Sequence, residues 1–226
     1  MNRLAVSLLA GVAALSFISS VQAADLIIEE PAPPVGIIDV GGNWDGVYVG
    51  AFAGYGWGTL NDEAGYFSGV PDTEYDLTGW QVGVTAGANF TVSEAIVAGI
   101  VADIAWSDIG GSDDVDLVDY DVNWLGSIRG RLGFDGGAFL PYLTAGVAFA
   151  GATATDSTGV APVEDDATHI GWTVGAGVEF AVADNISIDL LYRYSDYGSQ
   201  TYTLDAGDTD LGLTAHTISA GVNFKF

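Results

Sequence analysis

Residues 213–226 read L-T-A-H-T-I-S-A-G-V-N-F-K-F, and they constrain everything before them. Ile218, Ala220, Val222, Phe224 and Phe226 share one parity; Thr217, Ser219, Gly221, Asn223 and Lys225 share the other. A period of two belongs to a β-strand, here with one apolar and one polar face. The strand runs to the chain's last residue and stops on an aromatic ring. A soluble domain rarely exposes such an end. A barrel whose last strand pairs back to its first, with lipid outside, has a use for it.

The alternation recurs in seven upstream segments. Val47, Val49, Ala51, Ala53, Tyr55 and Trp57 align in residues 44–57, and Trp80, Val82, Val84, Ala86, Ala88 and Phe90 in 77–90. Ile96, Ala98, Ile100, Ala102, Ile104 and Trp106 align in 95–106, and Val122, Trp124, Ile128, Leu132 and Phe134 in 120–134. Leu143, Ala145, Val147 and Phe149 align in 139–150, and Ile170, Trp172, Val174, Ala176, Val178 and Phe180 in 169–180. Ile188, Leu190, Tyr192 and Tyr194 complete the set in 186–194. Connections 91–94, 135–138 and 181–185 are tight, whereas 58–76, 107–119, 151–168 and 197–212 are long. Strands of about ten residues with turns at one end and loops at the other are the signature of an outer-membrane barrel. The expected fold is all-β, an eight-stranded antiparallel up-and-down transmembrane β-barrel over residues 44–226. Its even strand count places both termini at the short-turn, periplasmic end.

Residues 1–23 have the form of a secretory signal peptide. Arg3 opens it, 4–18 is apolar, and Val21-Gln22-Ala23 is a small-x-small cleavage site. The competing reading, an anchor helix, is disfavoured by the short apolar run. Residues 24–43 carry Glu29-Glu30-Pro31-Ala32-Pro33-Pro34 and read as an acidic, Pro-rich periplasmic linker. Thirty acids against five bases argue against nucleic acid, whose binding needs Lys and Arg on phosphate. The chain has no Cys, which removes disulfides, thiolate metal sites and cysteine nucleophiles.

The two faces differ in chemistry. None of the apolar-parity positions named above carries a charge, while the other parity holds Asp103, Asp121, Glu179 and Asp189 with Arg129, Arg131, Arg193 and Lys225. A lipocalin-like soluble barrel would reverse these faces, and four bases are too few for its exterior. Aromatic residues on the apolar parity fall into two belts, as at two lipid–water interfaces. Trp57, Trp80, Trp106, Trp124, Phe149, Trp172 and Tyr194 lie toward the long loops. Phe90, Phe134, Phe139, Phe180, Phe224 and Phe226 lie toward the turns.

Several stretches resemble the small porin-like outer-membrane immunogenic proteins of alphaproteobacteria, part of the wider eight-stranded family that includes the OmpA transmembrane domain. They are Trp44-Asp-Gly46-Val-Tyr48-Val-Gly50 with Gly54-Tyr55-Gly56-Trp57, Trp124-Leu-Gly-Ser-Ile-Arg129-Gly-Arg131-Leu-Gly133, Pro141-Tyr142, Gly171-Trp172-Thr-Val-Gly175-Ala-Gly177-Val-Glu179, Tyr192-Arg193-Tyr194-Ser-Asp196-Tyr-Gly198 and Gly221-Val-Asn-Phe-Lys225-Phe226. The likeness covers residues 44–226. It implies an outer-membrane location and insertion by the barrel-assembly machinery, which reads a C-terminal aromatic strand and makes Phe226 the expected assembly signal. It does not imply one activity, because members are described as structural, adhesive or weakly pore-forming.

Eight strands enclose a lumen that side chains can fill. Charges facing it must pair, since an unpaired buried charge costs several kcal/mol. The expected pairs are Arg129 and Arg131 with Asp103 or Asp121, and Arg193 and Lys225 with Glu179 or Asp189. Such a network either plugs the barrel or gates a narrow ion path. The excess acid falls in the long connections: Asp62, Glu63, Asp72, Glu74 and Asp76; Asp108, Asp113, Asp114, Asp116 and Asp119; Asp156, Glu164, Asp165 and Asp166; Asp196, Asp205, Asp208 and Asp210. Carboxylates at this density suit Ca2+ or Mg2+, with Asp113, Asp114, Asp116, Asp205, Asp208 and Asp210 as candidate ligands, although no full EF-hand loop is present. Diffuse cation bridging to lipopolysaccharide is the blander alternative, and a simply solvated acidic surface the blandest. His169 and His216 fall on opposite faces of non-adjacent strands and make no catalytic pair. The expected role is therefore structural: a filled, non-enzymatic envelope barrel with acidic extracellular loops and no resident cofactor, in contact with outer-membrane lipid and lipopolysaccharide. A narrow porin and a loop-borne adhesin or receptor for an unidentified extracellular partner are the alternatives.

Overall fold

The computed structural model describes residues 44–62, 73–112, 118–156, 163–204 and 207–226. Eight strands succeed one another: β1 (Gly46–Asp62), β2 (Thr73–Ser93), β3 (Ile96–Ser112), β4 (Val118–Phe134), β5 (Phe139–Asp156), β6 (Val163–Ala183), β7 (Ile186–Leu204) and β8 (Gly207–Lys225). Each pairs antiparallel with the next, and β8 pairs back to β1 from Tyr48↔Lys225 to Asp62↔Leu211. The ring is closed, which leaves no sheet edge. Hydrocarbon solvates no backbone N–H or C=O, so closure is what a strand-built span requires. The leader and linker expected in residues 1–43 lie outside the described residues.

The outer wall is apolar through its middle. Val82, Ile100, Leu132, Leu143 and Ile218 are each more than half exposed. In water such a surface would drive association; against acyl chains it is the solvated face. Trp57, Trp80, Trp106, Trp172 and Tyr194 project outward in the outer belt, and Phe90, Phe134, Phe139, Phe180, Phe224 and Phe226 in the inner one. Edge-to-face ring pairs tie neighbouring strands, Tyr55–Trp80 at 5.2 Å and Trp172–Tyr194 at 5.5 Å.

The strands are longer than the alternation indicated, at 17 to 21 residues. At ~3.3 Å per residue and a tilt of about 40° they rise roughly 45 Å, against an apolar band of about 25 Å. The inner Phe belt adjoins the tight turns, so the surplus lies beyond the outer belt. β1 continues past Trp57 to Asp62, and β7 past Tyr194 to Leu204. Much of what was expected as loop is therefore wall. Asp62, Glu74, Asp76, Asp108, Asp119, Glu164, Asp165, Asp166, Asp196 and Asp210 are strand residues. Two of them also bond to the backbone of a neighbouring strand: Asp108 Oδ1 accepts the Trp80 N–H at 2.6 Å, and Asp165 Oδ2 the Thr203 N–H at 2.8 Å. Glu63, Asp72, Asp113, Asp114, Asp116 and Asp205 lie outside the described residues.

A bulge in β4 reverses two expected orientations. Its register against both β3 and β5 shifts between Val122 and Trp124. A bulge inserts one residue and resets which side chains face inward. Val122, expected on the lipid face, is therefore buried inside, and Asp121, expected in the lumen, is exposed on the outer wall.

A filled, closed ring held by β8 against β1 should resist detergent until heated. Unboiled membrane-extracted protein is expected to migrate faster on a denaturing gel than boiled protein; equal mobility would contradict the closed ring.

Candidate functional site

The lumen is filled at three levels. At the inner mouth Trp44, Val97 and Leu140 form an apolar plug, with Ala181 packed on it. Trp44 precedes β1 and turns in under the barrel, 6 % exposed. Above the outer belt Leu60, Leu77, Ile109, Val122, Leu125 and Leu213 belong to a second apolar core. Between the two lies the polar level.

That middle level balances three arginines against three acids. Arg129 Nη2 meets Asp103 Oδ2 at 2.5 Å, and Arg193 Nη1 meets Asp103 Oδ1 at 3.0 Å, so one carboxylate serves two guanidinium groups. Ser127 joins them, donating to Asp103 at 2.6 Å and accepting from Arg129 Nε at 2.8 Å. Arg131 Nη2 donates to Glu179 Oε2 at 2.7 Å and Nη1 to the Tyr48 hydroxyl at 3.2 Å. Its guanidinium carbon stands 3.9 Å from the centre of the Tyr142 ring, a cation–π contact. Tyr142 donates in turn to Asp189, at 2.7 and 2.9 Å. Glu179 also accepts from Ser187 Oγ at 2.5 Å and from Asn223 Nδ2 at 3.1 Å. Gly87 and Gly177 make room for these rings: a Cβ on either would lie 2.5 Å from the Tyr48 or Tyr142 hydroxyl.

Arg129 takes Asp103 as expected, and the other partners differ. Arg131 takes Glu179 rather than Asp103 or Asp121, and Arg193 takes Asp103 rather than Glu179 or Asp189. Asp121 is withdrawn by the bulge, and Asp189 is held by a phenol. Lys225 lies half-buried at the inner rim beside Gly46. The polar partners Ser127, Ser187 and Asn223 and the plug residue Trp44 were not singled out from the sequence. The first three share the lumen parity of the charged residues, and that was the signal available for them.

A cavity of about 30 Å3 remains at this level, bounded by Tyr48, Asp103, Arg129, Arg131, Tyr142 and Asp189 among others. It has room for about two water molecules. The outer core above contains its own buried polar knot: Tyr120, His169 and Tyr202 are joined in a triangle at 2.9 to 3.1 Å. His169 is fully buried and bound to phenols, with no carboxylate or Ser in that triangle. His216 faces outward, its ring stacked 5.7 Å from Trp57 and its Nδ1 2.8 Å from the Tyr192 hydroxyl.

Among the described residues no three His, Asp or Glu side chains converge as metal ligands. Of the candidate cation ligands, Asp113, Asp114, Asp116 and Asp205 fall outside the described residues. Asp208 pairs with Thr203 along β8, and Asp210 accepts the Thr201 hydroxyl at 2.6 Å.

A closed eight-stranded ring with a lipid-facing exterior, two aromatic belts and a packed interior defines an integral membrane β-barrel. The chain belongs to the outer membrane protein beta-barrel domain family, whose model matches residues 10–226. It is similar to the 22 kDa outer membrane protein of Rhizobium leguminosarum bv. viciae, 36 % identical over 88 % of this chain and 82 % of that one. It is also similar to the 25 kDa outer-membrane immunogenic protein of Brucella abortus biovar 1, 33 % identical over 95 % of this chain and 94 % of the relative. Among solved structures it aligns with Neisserial surface protein A at 22 % identity and a TM-score of 0.48, over 80 % of this chain and 97 % of that one. The protein is an outer-membrane β-barrel of a Gram-negative bacterium, and the matched curated relatives are named as outer-membrane proteins, not as enzymes.

Proposed function

We propose that this barrel is a non-conducting, non-enzymatic element of envelope integrity that carries a rigid acidic collar above the outer leaflet. The observation behind this reading is the lumen: an apolar plug at each end and, between them, arginines and acids bonded across the interior. An ion crossing it would have to displace Trp44 at one end and the Leu60–Leu213 core at the other, and separate buried ion pairs between. Each of those steps costs several kcal/mol. Export through cleavage after Ala23 and lateral contact with lipopolysaccharide complete the proposal.

Planar-bilayer recording tests it. The wild type is expected to be silent, and Arg129→Ala to remain silent because both apolar plugs persist. Steady conductance in the wild type would overturn the reading in favour of a narrow channel. Conductance in Arg129→Ala alone would show that the polar level, not the plugs, is the barrier.

A further inference from the structure

The β4 bulge does more than turn Asp121 outward. It sets two consecutive side chains, Asn123 and Trp124, on the outer face of the wall. Bulges often re-aim side chains in this way at functional positions. Across β5 the position opposite Trp124 is Gly151, and beyond it on β6 is Thr168. The indole lies over that glycine: a Cβ at Gly151 would overlap Trp124 Nε1. The row one step further out holds Thr153 and Asp166. Asn123 Nδ2 donates to Thr153 Oγ1 at 2.8 Å, and Thr153 Oγ1 donates to Asp166 Oδ1 at 2.6 Å. An amide, a hydroxyl and a carboxylate thus form one oriented rail beside an aromatic plane. Asn123, Trp124 and Asp166 of this set, with the Thr168 hydroxyl, border a cleft of about 280 Å3, close to the ~300 Å3 at the small end of ligand pockets.

We infer that this cleft binds a sugar ring, and that the ring is neutral or N-acetylated. A pyranose has a face of C–H bonds and a rim of hydroxyls. An indole takes the face, and amide, hydroxyl and carboxylate groups take the rim as oriented donors and acceptors. Among the described residues the lining carries Asp166 and no Arg or Lys, and Asp121 stands opposite Thr153 on the neighbouring strand. A uronic acid or a phosphosugar would meet like charge there, so the same carboxylates that grip hydroxyls exclude anionic sugars. Trp124 pairs with Trp106 in the outer belt, so the cleft opens where headgroups give way to water. Core sugars of the surrounding lipopolysaccharide and free extracellular glycans both reach that level.

Saturation-transfer NMR on the full protein in an amine-oxide detergent, which avoids sugar-based micelles, tests the site. The probes are maltotriose, N,N′,N″-triacetylchitotriose and trigalacturonate. Transfer is expected to one or both of the first two and not to the acidic trimer. Trp124→Ala should weaken binding about tenfold or more, the worth of one good contact. Asp166→Asn should admit the acidic trimer. Trp80→Ala, on the wall away from the cleft, should change nothing, and the unboiled gel shift confirms that each variant is folded. Absence of transfer with all three sugars, or full binding by a folded Trp124→Ala, overturns the inference. Competition by lipopolysaccharide with its full core, but not by lipid A alone, assigns the site to the membrane's own sugars. Competition by neither assigns it to a free glycan; both results uphold the sugar site.

Discussion

Asp103→Ala should be the most damaging single substitution in the barrel. Among the described residues Asp103 is the one carboxylate within ion-pair distance of both Arg129 and Arg193, and its side chain is 2 % exposed. Removing it leaves two guanidinium groups facing one another in a water-poor lumen. Stripping one partner from a buried pair costs about 3–5 kcal/mol, because the remaining charge is uncompensated. Two stranded charges place this variant at the top of that range. The check is the urea midpoint of detergent-refolded protein, read by the gel shift. Asp103→Asn keeps acceptor oxygen for Ser127 and Arg129 and should fall between the alanine variant and the wild type. An Asp103→Ala midpoint equal to that of the wild type would mean that water reaches this level freely.

The network's contribution to stability is a separate matter from the cost of breaking it. Replacing Asp103, Arg129 and Arg193 together by apolar residues of similar volume removes the charges along with their desolvation penalty, and such exchanges are often neutral or stabilising. What the charged version adds is a fixed set of partners across the lumen. Arg131 on β4 reaches Glu179 on β6, and Arg193 on β7 reaches Asp103 on β3. These links run between strands that do not neighbour one another. They hold the ring's cross-section, which the backbone ladder alone leaves deformable.

Strand number, closure and the two belts were legible in the sequence because lipid is a uniform solvent. Every outward residue within the band answers to the same demand, so parity alone reads it. Pairing within the lumen was not legible, because parity says that a side chain points inward but not at what height or across which chord. Arg129 and Arg131 are two residues apart on one face, yet one bonds to the adjacent strand and the other crosses the interior. Glu179 and Asp189 stand opposite each other in register; their like charges are kept apart in function by Arg131 on the one and the Tyr142 hydroxyl on the other. Neither choice leaves a trace in spacing.

The length of the wall did leave a signal. Past the outer belt the apolar residues change sides. Leu60, Leu77, Leu211 and Leu213 carry the parity that is polar lower down, and they face the interior. Outside them stand Glu74, Asp76 and Asp210. Water replaces lipid as the outer solvent there, so the strand inverts its two faces without breaking. The same inversion explains the acidic excess: it coats a water-facing wall in addition to the loops. The β4 bulge had no such signature, since Asp121-Val122-Asn123-Trp124 reads as ordinary alternation until the register shows the extra residue.

Deleting Phe226 should separate assembly from stability. In the finished barrel this residue does little. It is 74 % exposed, its N–H donates to the Val47 carbonyl at 3.0 Å, and its ring meets Phe224 edge-on at 5.2 Å. One peripheral backbone bond and one ring contact are worth about 1 kcal/mol each at most in such a setting. The same residue ends the strand that must find β1 to close the ring, and we propose, from the resemblance of this strand to those read by the barrel-assembly machinery, that it acts a second time before closure. Cells expressing the deletion should therefore hold several-fold less barrel in the outer-membrane fraction, with the remainder unfolded in the periplasm. Refolded from urea into detergent, the same variant should keep nearly the wild-type midpoint. Phe226→Ala, which retains the backbone bond to Val47, should show the same assembly loss with a still smaller change in midpoint. If both variants lose stability in proportion to their loss from the membrane, Phe226 acts through the folded barrel and is no assembly signal. The asymmetry follows from where its contacts are: almost none lie in the closed state, so a large effect has to arise before β8 meets β1.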